Sequence, residues 1–382
     1  MGKKTESKDI YIAVTGTTGA GKSEFIRLCT GQDVVVGDDL QSQTSEVEDW
    51  TFYWNRRTRV HLIDTPGFDD TNRKDVEVLR DIASWLVVTA RQDILLSGLV
   101  YLHPISDNRF RGSALRNLFM FKQLCGSSCL PSIVLATTMW DIVPIEDGER
   151  REAQLRSTKG FWGEMEKGGS RVMRHKRTEE SAMAILDAII SHKHPQMLKI
   201  QREMVHERRS LDHTSAGLKV HEDLIEAGWK HETELAALQE DMNKADEESQ
   251  QVIATLMDEQ QQEMAENEKA RERLKTDIES LEADLVREME TWHAKLKEQI
   301  SQCLRKEATM RALQQRWEEW DRQSVVDLEQ KEDLRKQLDD LRDQQGEDRQ
   351  RLKDDCEKAS RRNPGSNRFQ VIIQFFSRLF GF

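Results

Sequence analysis

The octapeptide Gly16-Thr17-Thr18-Gly19-Ala20-Gly21-Lys22-Ser23 constrains this chain more than any other stretch. It reads G-x-x-x-x-G-K-S. A short run of β-forming apolar residues, 10–14, stands in front of it. Behind it, residues 23–29 space their apolar members as a helix does. Strand, glycine-rich turn and helix in that order make a cradle for a polyphosphate. The glycines let the backbone turn its N–H groups inward, and the helix N-terminus adds partial positive charge. In such a loop Lys22 reaches the β- and γ-phosphates, and the Ser23 hydroxyl is placed to ligate Mg²⁺.

Two further motifs follow at the ends of apolar runs. Leu62-Ile63-Asp64-Thr65-Pro66-Gly67 is an Asp-x-x-Gly element, in which Asp64 would hold Mg²⁺ through a water and the Gly67 N–H would bond a γ-phosphate. Between it and the first motif lies Gln41-Ser42-Gln43-Thr44-Ser45, where Thr44 is the candidate for a second hydroxyl ligand of Mg²⁺. Lys22, Thr44 and Gly67 are thus the candidates for the reacting phosphate, and Ser23, Thr44 and Asp64 for the metal. The third motif is Thr137-Thr138-Met139-Trp140-Asp141, to be compared with the guanine-reading pattern Asn/Thr-Lys-x-Asp. The Asp141 carboxylate can accept from both guanine N1–H and the N2 amino group, whereas adenine leaves that buried charge unpaired. Met139 stands where Lys is usual, so aliphatic packing is kept and the ammonium is lost. The expected ligands are GTP or GDP with Mg²⁺.

Between residues 9 and 195, apolar β-type runs (10–14, 51–54, 60–63, 95–102, 133–136, 171–173) alternate with amphipathic stretches (22–29, 73–89, 113–125, 149–166, 179–192). That alternation predicts an α/β fold: a mostly parallel sheet with helices on both faces and one antiparallel edge hairpin through residues 55–59. After Pro195 the composition changes. The next proline is Pro364, and the only intervening glycines are Gly217, Gly228 and Gly346. Leu274, Ile278, Leu281 and Leu285, then Met310, Leu313, Trp317 and Trp320, then Leu334, Leu338 and Leu341 step by three and four, as a coiled-coil seam does. Polar breaks between these groups predict antiparallel hairpins or register shifts rather than one rod. The expected organisation is a polar N-terminus (1–8), a nucleotide-binding domain (9–195), a helical coiled-coil region (196–362) and a hydrophobic tail (363–382). In the tail Phe369, Ile372, Phe376 and Phe380 suit either a docking groove or a membrane interface.

The charge balance excludes some partners. With a formal net charge of −12 the chain has no cation excess for nucleic acid. Residues 1–8 lack an apolar leader segment, no run is long enough for a membrane-spanning helix, and the five scattered cysteines complete no zinc pattern. The expected setting is reducing and cytoplasmic, with peripheral membrane contact as the tail's alternative.

Taken together, the three motifs resemble those of the translation-factor class of P-loop GTPases. The septin-like branch is most similar: the immunity-associated and chloroplast import receptor GTPases, and fungal G-domain proteins with coiled-coil tails, whose Tyr101–Arg109 counterpart looks alike. The resemblance covers residues 9–195. It implies a Ras-like core, GTP/GDP binding, pairing of G domains into homo-oligomers, and a last base-contacting loop near Arg174 and His175. After Asp-x-x-Gly, Ras-type enzymes carry Gln to orient the attacking water; here Phe68 stands there. Hydrolysis should therefore be slow unless Arg109 or Arg111 acts across a dimer as an arginine finger. Two functions follow: a slow GTPase switch with a coiled-coil effector arm, or a nucleotide-stabilised scaffold with weak catalysis.

Overall fold

The computed structural model describes residues 8–32, 47–66, 75–107, 112–191, 195–243, 247–322 and 328–362. Thr44, Gly67, Phe68, Arg109, Arg111 and the 363–382 tail lie outside these residues.

Six strands form one sheet: β1 Lys8–Gly16, β2 Glu48–Asn55, β3 Thr58–Asp64, β4 Leu96–Pro104, β5 Ile133–Thr138 and β6 Arg171–Arg174. Their order is β2-β3-β1-β4-β5-β6. Only β2 runs antiparallel, paired with β3 through the short turn the sequence suggested; every other pairing is parallel. This is a Ras-like mixed sheet. The strand feeding the glycine-rich loop is central, so both its faces are covered, which is why residues 10–14 read as a continuous apolar run. β4 is buried at every position for the same reason.

Helices cover both faces. On one side α1 Lys22–Thr30 and α6 Glu179–Ile190 enclose Ile12, Phe25, Leu62, Val100, Val134 and Ile185. On the other lie α2 Asp75–Arg91, α3 Gly112–Cys125 and α4 Ile145–Ser157, around Ile63, Leu79, Tyr101, Leu118 and Leu135. The single helix expected over 149–166 is broken. The chain leaves helical geometry at Thr158, makes a wide turn over Lys159–Gly163 with Phe161 at φ −98°, ψ −121°, and resumes as the short α5 Glu164–Lys167. Lys122 of α3 explains the opening: its Nζ donates to the freed carbonyls of Phe161 (2.8 Å) and Gly160 (3.3 Å). Gly163 lets the turn close, since a Cβ there would stand 2.7 Å from the Arg156 carbonyl oxygen.

The first compact unit continues past Pro195 to Glu282, so the expected boundary at 195 falls inside it. A short α7 (Lys199–Gln201) leads to an antiparallel pair, α8 Ser215–Met242 and α9 Glu247–Leu274. Asn267 Nδ2 donates to the Leu224 carbonyl (3.0 Å) and His231 bonds Gln260 (2.7 Å), fixing the direction. Leu198, Ile200, Met204, Leu211, Val220 and Leu274 join the same core as α2 and α3. The second unit begins at Ala283, within α10 Ile278–Arg322, and includes α11 Leu328–Arg362. There α10 and α11 pair antiparallel through Leu296, Cys303, Leu352, Cys356 and Ala359. Lys295–Asp355 (3.1 Å) and Lys306–Asp348 flank that seam. Two hairpins thus replace the single rod that polar breaks had argued against. Among the described residues no helix is long and apolar enough to cross a membrane. All five cysteines are buried and unbridged.

Candidate nucleotide site

The loop between β1 and α1 sits at the carboxyl edge of the parallel strands, where such sheets hold ligands. Gly16 packs so closely on β4 that a Cβ would stand 2.3 Å from the Leu102 carbonyl oxygen, at φ +148°. Gly19 (φ +77°) and Gly21 (φ +88°) take the left-handed region, and Gly21 is the residue from which α1 starts. A Cβ at either of these two glycines would meet nothing within 4 Å among the described residues. Lys22 is buried and folds back over the loop, its Nζ donating to the carbonyls of Thr17 (3.2 Å) and Gly16 (3.4 Å). The Thr18 hydroxyl is buried and has no hydrogen-bond partner among the described residues. A buried hydroxyl normally finds a partner, so this one suits a ligand oxygen.

Asp64 ends β3 beside β1 and is 2 % exposed. The next residue, Thr65, fastens that end: its N–H (3.2 Å) and its hydroxyl (3.0 Å) both donate to the Val14 carbonyl. The Asp-x-x-Gly motif is therefore held against the strand that carries the glycine-rich loop.

The third motif comes to the same edge. Thr138 ends β5, and its hydroxyl donates to the Ala20 carbonyl (3.0 Å). It ties the end of β5 to the glycine-rich loop. Met139 adopts φ +60°, ψ +39°, and its sulfur accepts from the Ser106 hydroxyl (3.5 Å). Trp140 is fixed on three sides. Its indole N–H donates to Thr137 (2.9 Å), the Arg174 guanidinium lies 4.2 Å above its ring, and Gly148 leaves space that a Cβ would fill 2.6 Å from the ring. With Trp140 held, Asp141 points outward, its side chain about half exposed.

The β6–α6 loop completes this edge, and sequence reading located it only roughly. Arg174 is committed elsewhere: it grips Glu152 with Nε (3.0 and 3.1 Å) and Nη2 (2.6 Å), and Glu149 more loosely (3.3 Å). His175 is buried, bonded to Ser181 (3.0 Å) and set edge-on to Phe25, and burial lowers its pKa to about 4. The side chain that faces Asp141 is Arg177, three residues beyond the expected position. Its Nη1 lies 3.5 Å from Asp141 and its Nε 3.6 Å from Glu24 of α1. Only a positive-φ arginine (φ +57°) two residues past a buried histidine would have flagged it, and neither is legible in one sequence. Glu24 itself is held below the usual carboxylate range, chiefly by a bidentate bond to Arg27 (2.9 Å each).

Residues 11–106 match the sequence profile of the family described as 50S ribosome-binding GTPase. No curated protein matches the chain. Among solved structures, Toc33 from Arabidopsis thaliana in complex with Mg²⁺ and GMPPNP is similar at 16% identity, over 50% of this chain and 87% of that one, with a TM-score of 0.40. The G domain of the T. maritima FeoB iron transporter matches at 16% identity over 49% of this chain and 99% of that one, TM-score 0.32. Era from Aquifex aeolicus, bound to GDP and AlF4⁻, matches at 13% over 50% and 58%, TM-score 0.35. Residues 11–106 are thus similar to a P-loop GTPase family, and the sheet order is that of a Ras-like fold.

Proposed function

We propose that this protein is a guanine-nucleotide switch: it binds GTP and GDP with Mg²⁺, hydrolyses GTP slowly, and relays the nucleotide state through its helical half. The observation that carries the reading is the 3.0 Å bond from Thr138 to the Ala20 carbonyl, which joins the base-reading strand to the phosphate loop. One nucleoside triphosphate can then meet both. The Thr18 hydroxyl, and Gly19 and Gly21, where a Cβ would meet nothing within 4 Å among the described residues, suit a phosphate chain.

Under this reading the loop N–H groups of 16–23 and the Lys22 ammonium bind the phosphates, and Ser23, Thr44 and Asp64 hold the metal. Bound Mg²⁺ would neutralise charge on the β- and γ-phosphates. Gly67 would bond the γ-phosphate, and Asp141 would accept from the guanine ring. Phe68 has no group to orient water, so the intrinsic rate is low, and Arg109 or Arg111 of a second G domain is the candidate cation for acceleration. Homo-oligomers through the G domain or the helical arm belong to the same proposal, as does the septin-like affinity of residues 101–109.

Asp141→Asn tests the base assignment. Asn presents an N–H where guanine also presents one, so GDP affinity should fall about 100-fold while xanthosine diphosphate gains. Equal loss of both nucleotides, or no loss of either, would remove the assignment. A second reading keeps the nucleotide and drops turnover, leaving a scaffold whose helices do the work. The missing Gln at position 68 favours it, and multiple-turnover phosphate release separates the two: tight GTP binding without turnover supports the scaffold.

A further inference from the structure

We infer that Arg177 is a positioning residue for the base-reading carboxylate, taking over the cationic role vacated at Met139. The inference rests on the guanine-binding reading above. Arg177 lies between two acids, Asp141 of the base motif (3.5 Å) and Glu24 of α1 (3.6 Å). It thus links the helix of the phosphate loop to the residue that selects the ring.

The loop that carries it is built to aim it. Ser181, at the start of α6, gathers the loop around one hydroxyl: it accepts from the N–H groups of Lys176 (3.1 Å) and Thr178 (3.4 Å), and the Thr178 carbonyl (2.9 Å) and the His175 ring nitrogen (3.0 Å) compete for its single proton. The Thr178 hydroxyl in turn accepts from the Ser181 N–H (3.2 Å), closing a capping box. Between these fixed points Arg177 holds φ +57°, a conformation that costs a non-glycine residue strain and persists only where the surroundings enforce it. The other groups on this loop do not compete for Asp141. Arg174 is spent on Glu152, Glu149 and Trp140, and His175 is buried and neutral near pH 7.

A carboxylate that must accept two parallel N–H bonds from guanine works best if its plane is fixed. One guanidinium N–H at Oδ2 leaves lone pairs on both oxygens for the base while restraining rotation. Met139 offers a thioether here and no charge. Arg177 supplies the missing charge from the β6–α6 loop, and Glu24 keeps its guanidinium near.

The prediction is selective. Inosine diphosphate lacks the N2 amino group and gives Asp141 one donor, so it depends less on the carboxylate plane. Titration of wild type, Arg177→Ala, Arg177→Gln and Arg177→Lys with GDP and with inosine diphosphate reads this directly. Arg177 is mostly exposed, so folding should survive, and circular dichroism checks that. Expected is a loss of roughly fivefold for GDP in the Ala and Gln variants, a smaller loss for inosine diphosphate, and partial recovery in the Lys variant. In an Asp141→Asn background the Arg177→Ala change should leave xanthosine diphosphate binding unaltered. Equal losses for GDP and inosine diphosphate, or no loss, overturn the inference and leave the guanine reading standing. A wild type that binds adenosine diphosphate as well as GDP overturns both.

Discussion

At the scale of single residues, the glycine-rich loop works because of what its side chains leave out. Gly16 approaches the β4 backbone more closely than any Cβ permits, while Lys22 and the Thr18 hydroxyl keep polar atoms inside the turn. The sequence carries this information in full, since spacing and residue type define the motif. Arg177 shows where such reading ends: an arginine in a basic run looks like solvated surface until a left-handed turn aims it at Asp141. Histidines behave likewise. His103 of β4 is 3 % exposed, set edge-on to Trp162, and burial depresses its pKa to about 4. The unfolded chain titrates near 6.5, so below that pH the unfolded state binds the proton that the folded state refuses. Stability contributed by neutral His103 is therefore complete above pH 6.5, declines as pH falls and is lost by about pH 4. The full decrement is about 3 kcal/mol. Urea unfolding of wild type and His103→Phe between pH 7 and 4 should show a flatter pH dependence in the variant. Parallel curves would place the acid sensitivity in other groups.

At the scale of elements, strands were more legible than helix ends. The apolar runs of β1, β3, β4 and β5 mark the central strands because a covered sheet needs nearly every side chain apolar, whereas the edge strands β2 and β6 carry polar and half-exposed residues. The break after Ser157 was hidden. Residues 149–166 keep helical spacing, and what opens the helix is Lys122, a residue of another element whose amine satisfies the freed carbonyls. Desolvation there lowers the Lys122 pKa. The start of α8 has a comparable constraint from packing. A Cβ at Gly217 would stand 1.8 Å from the Leu211 carbonyl oxygen, and the Gly217 N–H is capped by Thr214 (3.0 Å). In a free helix Gly→Ala stabilises. Here the methyl group meets backbone, so Gly217→Ala should cost about 3 kcal/mol despite its better helix propensity. Chemical denaturation of the full chain reads the sign: an unchanged or raised midpoint would mean that this turn relaxes freely.

At the scale of the molecule, the informative difference lies in how far the first unit extends. A seam stepping by three and four reads identically whether it faces another long helix or the flank of an α/β domain, so the sequence beyond Pro195 could not reveal its partner. In the fold, Leu198, Ile200, Met204 and Leu211 are buried in the core shared with α2 and α3. Gln201 donates from a buried position to the Leu86 carbonyl of α2 (2.8 Å), and the Leu211 N–H donates to the Thr276 carbonyl (2.8 Å). Two exposed ion pairs, Arg91–Glu282 and Arg273–Glu77 at 2.5 Å each, add little by comparison. Burying four such apolar side chains contributes on the order of 6–10 kcal/mol before ordering entropy is subtracted. That is comparable with the whole stability of a typical domain. A chain ending at Glu282 should therefore unfold cooperatively with the midpoint that the first unit shows in the full chain. A chain ending at Pro195 should lose about 3 kcal/mol or more, expose the α2–α3 surface and bind a hydrophobic dye while still folded. Tryptophan fluorescence in urea, with dye binding measured in parallel, distinguishes the two truncations. If the shorter chain matched the longer in midpoint and bound no dye, residues 196–282 would be attached to the G domain without supporting it.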